Sequence, residues 1–269
     1  MNTLTTLFAI VLLVHTATAK VQTLDIVYTD GETKMRGYAA FDPEQLPKAE
    51  DGESPGAPAV LIVHQWMGLT DYEKGRAKHL AELGYVVFAL DIYGSDHSPT
   101  NMQEAGQASG RFKNDRELFR KRLNLGLTEL KRLPFVDPDR VAAIGYCFGG
   151  TGVLELARSG ADVAGVVSFH GGLDAPKDGA DKNIKGKVLV LHGADDPFVP
   201  REGIDAMKKS FNDAKVDWQM IEYSGAVHSF TQPMAGNDNA RGAAYNEKAD
   251  KRSWQHMRSF FDEVIGKVD

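Results

Sequence analysis

Short apolar runs alternate with longer amphipathic segments along most of the chain. Near the N-terminus, residues 21–28 and 35–41 suit strands, and Asp30-Gly31 between them is typical of a tight hairpin turn. Later runs lack the alternation of apolar and polar residues of a half-exposed strand, which indicates strands covered on both faces. These later predicted strands cover residues 59–63, 85–90, 141–144, 163–169, 188–191 and 216–221.

Helix-compatible segments separate the strands. They cover residues 71–83, 115–133, 149–158, 201–212 and 243–265. The repeated alternation predicts an α/β fold, a mostly parallel, doubly wound sheet with an N-terminal antiparallel hairpin. The Pro-, Glu- and Gly-rich residues 42–58 suit a surface loop. Residues 95–114 lack a clear period, and we expect them to overhang the functional site.

Length, composition and the N-terminal segment indicate the number of domains, the kinds of partner and the cellular location. A chain of 269 residues with 42% hydrophobic content can bury one large core, so residues 20–269 are predicted to form a single domain. A net charge of -6 gives no general attraction to nucleic acid or to anionic lipid. The apolar run 7–14 and the small residues 17–19 predict a signal peptide over residues 1–19, removed from a periplasmic or secreted enzyme. A tethered or disordered N-terminus is the alternative, and we expect no membrane association after removal.

The single cysteine, Cys147, stands in a motif that predicts a nucleophile. A predicted strand ends in Gly145-Tyr146-Cys147-Phe148-Gly149-Gly150 and a helix follows, which is the form of a nucleophile elbow with Cys in place of Ser. Side chains at Gly145 and Gly149 would collide with neighbouring backbone in so tight a turn. The helix N-terminus favours a thiolate and lowers the thiol pKa. The alternative is a buried, unreactive thiol.

An acid and a base follow the cysteine in the chain order of α/β-hydrolases. Asp196 lies directly after a predicted strand, and its spacing from Val199-Pro200 favours it over Asp195. His228 lies in a Gly-containing loop after the last predicted strand. An imidazole can take the thiol proton and return it to a leaving group, and a carboxylate fixes its tautomer. As an alternative, the two aspartates shape a turn or cap a helix.

Two backbone amides are the predicted donors to an oxyanion, those of Phe148 and of Trp66 in the loop after strand 59–63. Surrounding loops supply the candidate pocket residues. These are Gln65, Met67, Tyr93, Ser95, Phe198 and Gln232. The side chains of Trp66, Met67, Phe148 and Phe198 suit an apolar wall around an acyl group, or else plain core.

Together these motifs resemble the dienelactone hydrolase family over nearly the whole mature chain. The resemblance rests on HQWMG at 64–68, DIYG at 91–94, GYCFGG at 145–150, DPFVP at 196–200 and HSF at 228–230. It implies an α/β-hydrolase fold, a Cys-His-Asp triad, and hydrolysis of a small-molecule ester or lactone without a cofactor.

Three positions depart from the dienelactone-cleaving members. Gln65 stands where those carry a glutamate near the resting thiol, so activation of Cys147 is expected to fall to His228 and the helix dipole. Ser95 and Gln232 stand where those carry arginines that hold a substrate carboxylate. An anionic dienelactone is therefore not the expected substrate. Arg241 lies downstream, where a solvated surface arginine is the simpler interpretation.

Two other functions remain open at this point. A hydrolase-fold protein could bind a small ligand or a partner with an idle triad, or could transfer the acyl group to an alcohol or amine instead of water. Adjacent Asp96 and His97 lack further ligands at a suitable spacing, so no metal site is predicted.

Overall fold

The computed structural model describes residues 21–48 and 56–268, which build one eight-stranded sheet. In chain order the strands are β1 (Gln22–Asp30), β2 (Thr33–Phe41), β3 (Ala57–Val63), β4 (Val86–Leu90), β5 (Val136–Tyr146), β6 (Gly165–Phe169), β7 (Lys187–Gly193) and β8 (Trp218–Tyr223). Their order in the sheet is β1-β2-β4-β3-β5-β6-β7-β8. β2 pairs antiparallel with both β1 and β4, and the remaining neighbours pair parallel. The predicted fold class is confirmed.

Helices cover both faces of the sheet. Within the described residues the α-helices are α1 (Asp71–Ala81), α2 (Met102–Asn114), α3 (Arg116–Lys131), α4 (Phe148–Arg158), α5 (Arg201–Asp213) and α6 (Glu247–Val264). Buried side chains of α1 and α6 share one apolar core, and those of α2, α3, α4 and α5 share the core on the opposite face. This double cover explains the continuous apolar runs, because all residues of β3 and β4 are buried.

The carboxyl ends of the parallel strands meet at one edge of the sheet, and this edge carries the predicted functional residues. Cys147 follows β5, Asp196 follows β7, and His228 comes five residues after β8 ends. Open α/β sheets bind ligands at this edge, where loops from separate strands converge. The topology therefore brings residues that are distant in the chain to one place.

Helix α2 was not apparent from the sequence. It begins after Asn101, whose side chain accepts from the Glu104 backbone N–H, and it buries only Ala105, Ser109 and Phe112. One large apolar residue in three turns gives too weak a period to detect. The overhang expected of residues 95–114 is present in part, since the Phe112 ring packs against Phe148 at a centroid distance of 6.4 Å.

Several predicted boundaries shift by a few residues. The last helix begins at Glu247 rather than at residue 243 because the side chain of Asn246 caps it. The predicted loop 42–58 ends earlier, since Ala57 already belongs to β3, and its residues 49–55 lie outside the described part of the chain. The predicted signal peptide, residues 1–19, also lies outside it. In residues 21–48 and 56–268, no helix has the length and apolar character to cross a membrane.

Candidate active site

The turn from β5 into α4 is a tight elbow that turns on Cys147. The residue has φ 55° and ψ -115°, a left-handed conformation that is strained for any residue with a side chain. A Cβ on Gly145 would lie 1.9 Å from the Gly149 carbonyl oxygen, and one on Gly149 would lie 2.1 Å from the Val63 carbonyl oxygen. Both positions therefore require glycine, as the sequence motif predicts. The turn leaves the Cys147 side chain half-buried.

Cys147, His228 and Asp196 form a continuous hydrogen-bonded chain. The Nε2 atom of His228 lies 3.1 Å from Cys147 Sγ, and Nδ1 lies 2.8 Å from Asp196 Oδ2. The Asp196 side chain is fully buried, and its other oxygen accepts from the Phe198 backbone N–H at 2.9 Å. Asp195 instead accepts from the Gly225 backbone N–H and does not face the imidazole. The predicted partners thus lie together, with the predicted choice of aspartate.

The pKa values of the thiol and the imidazole move toward an ion pair. Burial alone would raise the pKa of the Cys147 thiol, but the charge and hydrogen bond of His228, the charge of Lys113 and the Phe148 amide together hold it below its ordinary value. Burial alone would lower the pKa of His228, yet the Cys147 thiolate and Asp196 raise it to about 10. Both shifts favour a thiolate paired with an imidazolium over a neutral thiol and imidazole.

The loop after β3 presents the second predicted oxyanion donor, Trp66. Glu73 of α1 is fully buried and accepts from the backbone N–H groups of Gln65 (3.1 Å) and Thr70 (2.9 Å), so it anchors both ends of this loop. Tyr93 donates its hydroxyl to the Trp66 carbonyl at 2.9 Å. No acceptor for the Trp66 backbone N–H is described within residues 21–48 and 56–268.

The other candidate pocket residues fall into two groups. Gln65 is buried, Met67 is half-buried beside it, and the Phe198 ring, 60% exposed, stands edge-on to His228 at a centroid distance of 5.5 Å. Ser95 instead donates its N–H and Oγ to the Lys34 carbonyl at the start of β2. The Gln232 side chain accepts from the Met234 N–H in a short turn. No contact of these two with the triad is seen in the described residues.

Three features of the site were not foreseen. Helix α2 brings Lys113 close enough to stabilise the Cys147 thiolate, and its Phe112 anchors the helix on Tyr93 and Phe148. The capping box of Thr70 and Glu73, whose signal is Thr-x-x-Glu at a helix start, orders the Trp66 loop. His170, which follows β6, accepts from the Cys147 backbone N–H at 3.1 Å. A single histidine after a strand carries no sequence signal of this role.

Among the residues considered for metal or anion binding, Arg241 precedes Gly242, whose carbonyl accepts from the His228 backbone N–H at 3.1 Å. Asp96, His97 and Arg241 are exposed. Across residues 21–48 and 56–268 no group of three or more His, Cys, Asp or Glu side chains is arranged to hold a metal ion.

Comparisons with known proteins identify the relatives of the chain. The model of the dienelactone hydrolase family matches residues 48–265. The solved structure of m3DLH is 39% identical in sequence, with a TM-score of 0.83. The match covers 91% of this chain and 99% of the m3DLH chain. A dienelactone hydrolase-like promiscuous phosphotriesterase from metagenomic libraries is 38% identical, with the same coverage and a TM-score of 0.83.

A Saccharolobus solfataricus protein named "Putative carboxymethylenebutenolidase" is 25% identical over 273 residues, which is 89% of this chain and 98% of that protein. The family model alone spans most of the chain, and the structural matches extend over nearly all of it. The chain therefore belongs to the dienelactone hydrolase family.

Proposed function

We propose that this hydrolase cleaves small, uncharged carboxylic esters or lactones through a thioacyl intermediate on Cys147. The observation that carries the proposal is the linked contact of Sγ, imidazole and carboxylate, 3.1 Å and 2.8 Å long, at the end of a strained elbow. Family membership supports ester or lactone hydrolysis, and the geometry supports the choice of nucleophile.

In the first half-reaction, the Cys147 thiolate attacks the carbonyl carbon and the carbonyl electron pair moves to oxygen. The backbone N–H groups of Phe148 and Trp66 stabilise this oxyanion. Collapse breaks the carbon–oxygen bond to the leaving alkoxide, which takes the Nε2 proton of His228 and departs as the alcohol. The acyl group remains on sulfur as a thioester.

In the second half-reaction, neutral His228 takes a proton from water as its oxygen adds to the thioester carbon. Asp196 stabilises the imidazolium that forms again. Breakage of the carbon–sulfur bond releases the acid and restores the thiolate, so no cofactor or redox step enters the cycle. Because a resting thiolate is already a strong nucleophile, the site needs no further base to begin.

Substrate charge follows from the contacts of the pocket. Ser95 and Gln232 supply no cation. Ser95 donates to the Lys34 carbonyl of β2, and Gln232 accepts from the Met234 N–H in a short turn. Lys113 is a cation near the thiolate, but it is exposed to solvent at the end of α2. A substrate carboxylate would therefore find weak compensation, which favours neutral esters and lactones over an anionic dienelactone.

The test is a panel of short-chain p-nitrophenyl esters and neutral and anionic lactones, run on the wild type and on Cys147→Ala. We expect turnover of neutral substrates by the wild type and none above background by the variant. Addition of an alcohol acceptor separates hydrolysis from acyl transfer, since transfer would yield a new ester. Equal turnover by the two proteins would refute Cys147 as the nucleophile.

We infer phosphotriester hydrolysis as a second candidate activity of the same site. It is favoured by the 38% identity, over 91% of this chain, to the promiscuous phosphotriesterase. The thiolate would displace an aryloxide from phosphorus while the oxyanion donors face the phosphoryl oxygen. Water activated by His228 would then break the sulfur–phosphorus bond, which releases a phosphodiester and restores the thiolate. Turnover of paraoxon that disappears in Cys147→Ala is expected, and paraoxon stability in the presence of an esterase-active wild type would reject this activity.

A further inference from the structure

A second histidine, His170, lies between the nucleophile and the segment that carries the base. It directly follows β6 and is fully buried. Its Nδ1 accepts from the Cys147 backbone N–H at 3.1 Å, and its Nε2 lies 2.8 Å from Thr231 Oγ1. Its ring stands edge-on to His228, with centroids 5.2 Å apart.

The Cys147 amide decides the tautomer of His170. A backbone N–H can only donate, so Nδ1 must be unprotonated and the neutral ring carries its proton on Nε2, from which it donates to Thr231. Burial, together with the positive charge of His228, keeps the pKa of His170 well below its ordinary value, which agrees with a neutral ring. A protonated ring would turn a second donor toward the Cys147 N–H.

Thr231, the residue that contacts His170 Nε2, is fixed by hydrogen bonds to helix α1. Thr231 is fully buried, and its Oγ1 also accepts from the Tyr72 hydroxyl at 2.7 Å. Its carbonyl accepts from Arg76 at 3.0 Å, and the same guanidinium binds Asp250 of α6 at 2.6 Å. Helices α1 and α6 therefore fix Thr231, which stands three residues after His228 in the chain.

We propose that His170 is a positioning residue that sets the separation between Cys147 and His228. It joins the elbow to residues 228–231, the segment that carries the base, through its contact with Thr231. The elbow is strained at φ 55°, and the only other acceptor described for the Cys147 N–H is the Phe169 carbonyl at 3.0 Å. A thiol and an imidazole 3.1 Å apart tolerate little displacement if a proton and a charge are to be shared. The effect of His170 on turnover rests on the proposed function, whereas its effect on thiol reactivity does not.

The experiment compares two substitutions of His170. His170→Leu removes both hydrogen bonds, whereas His170→Asn retains an acceptor near the position of Nδ1 and suits the left-handed backbone of this residue, φ 40°. We expect His170→Leu to lower kcat by about 10²-fold with little change in KM, because a misplacement of about 1 Å costs about that much. His170→Asn keeps an acceptor for the Cys147 N–H but cannot reach Thr231, so its loss should be only about fivefold, as expected for Thr231→Val.

A second readout follows the thiol without any ester. The rate of Cys147 alkylation by iodoacetamide is measured against pH. We expect the midpoint to move upward in His170→Leu, because the thiolate loses contact with the His228 imidazolium. It should move less in His170→Asn, which keeps the acceptor for the Cys147 N–H but not the contact with Thr231. A purely structural role would lower the unfolding temperature without moving this midpoint.

Thr231→Val provides an independent variant should His170→Leu fail to fold. It leaves the contact of His170 with Cys147 and removes Oγ1, which binds both His170 and the Tyr72 hydroxyl. The Tyr72 hydroxyl still lies 3.2 Å from the Thr231 carbonyl, so kcat should fall by about fivefold. When all variants fold, Thr231→Val should add no further loss to His170→Leu, because both break the same link.

Several outcomes would overturn the positioning role. These are wild-type kcat and midpoint in His170→Leu, equal losses in the Leu and Asn variants, or wild-type kcat in Thr231→Val. If the wild type cleaves no ester but the alkylation midpoint still moves in His170→Leu alone, the hydrolase proposal fails and the positioning role stands.

Discussion

Ionisable side chains lie at both ends of helix α4. A thiol–imidazole pair lies at the N-terminal end, and an arginine–carboxylate cluster lies near the C-terminal end. At the N-terminal end, Cys147 faces one imidazole and stays half-buried. Toward the C-terminal end, the fully buried Arg158 binds Glu155 at 2.9 Å and Asp181 at 2.7 Å. Its guanidinium also donates to the Asp174 carbonyl. Arginine keeps its charge at any working pH, so no proton moves in this cluster.

The contrast shows what separates a structural charge cluster from a reactive one on the same scaffold. The Arg158 cluster pairs a permanent cation with two carboxylates and a backbone carbonyl. The Cys147 cluster joins two groups whose charges both depend on a shared proton, and it leaves one side open to a substrate. Substitutions at the first should change stability, and those at the second should change chemistry.

The largest effect is expected from Cys147→Ala. It removes the nucleophile but no buried ion pair that the fold needs, so kcat/KM should fall by at least about 10⁴-fold while the unfolding temperature changes little. Steady-state kinetics and thermal unfolding on the same samples check this prediction. A large loss of stability would show that the N-terminal cluster also holds the fold together.

Arg158→Met should have the next largest effect, on the opposite property. It leaves Glu155 and Asp181 buried with one cation fewer, which should cost about 3–5 kcal/mol of unfolding free energy. The matched control is Arg132→Met, since Arg132 is 70% exposed in its pair with Glu129 and should cost no more than about 1 kcal/mol. Urea unfolding measures both. Per folded molecule, esterase activity should stay near the wild-type value, and a specific loss of activity would contradict the contrast.

A smaller effect on rate is expected from Asp196→Asn. The amide cannot stabilise the imidazolium, but the thiolate is also supported by Lys113 and the Phe148 amide, so we expect about a 10²-fold loss rather than complete inactivation. Asp195→Asn is the control and should remain within a fewfold of the wild type, because Asp195 faces the Gly225 amide. If Asp195→Asn lost activity and Asp196→Asn did not, Asp195 would be the carboxylate that supports His228.

The pH profile tests the shared proton. Because the thiol pKa is lowered and the His228 pKa is raised to about 10, the ion pair should form below the usual range of thiol ionisation and persist until pH rises through about 10. Acylation should decline above that value as the imidazolium loses the proton for the leaving group. His228→Ala should move the alkylation midpoint of Cys147 upward. An unchanged midpoint would mean that the imidazole does not lower the thiol pKa.

The smallest effect is expected from Lys113→Ala. Lys113 is exposed, so its field at the thiolate is screened by water and salt. Alkylation at a pH below the midpoint should slow by no more than about fivefold, and less at high salt. A much larger loss would mean that α2 closes over the site and excludes solvent.

Local sequence signals were sufficient for most of the fold and for the expectation that Cys147, Asp196 and His228 lie together. Apolar runs marked the buried strands, and the two close approaches at Gly145 and Gly149 are the ones that the elbow motif implies. Asp196 and His228 could be found because chain order in this fold fixes which strand each follows. These features depend on short stretches of sequence or on topology.

Contacts between distant elements could not be predicted. Helix α2 buries Ala105, Ser109 and Phe112, a face too small and too polar to show a period. His170 and Thr231 are in contact only because the C-terminal end of β6 lies next to residues 228–231 in the folded protein. Likewise, Ser95 lies against β2 through a hydrogen bond with Lys34, a pairing that depends on the packed sheet.

The most direct test of the central claim is to trap the acyl group. The wild type is mixed with excess p-nitrophenyl acetate, quenched in acid within the first turnovers, and analysed by intact-mass and peptide mass spectrometry. We predict a mass gain of one acetyl group on the peptide that contains Cys147, together with a burst of p-nitrophenol, both absent in Cys147→Ala. Steady ester cleavage with the acetyl group on another residue would contradict a thioacyl enzyme at Cys147.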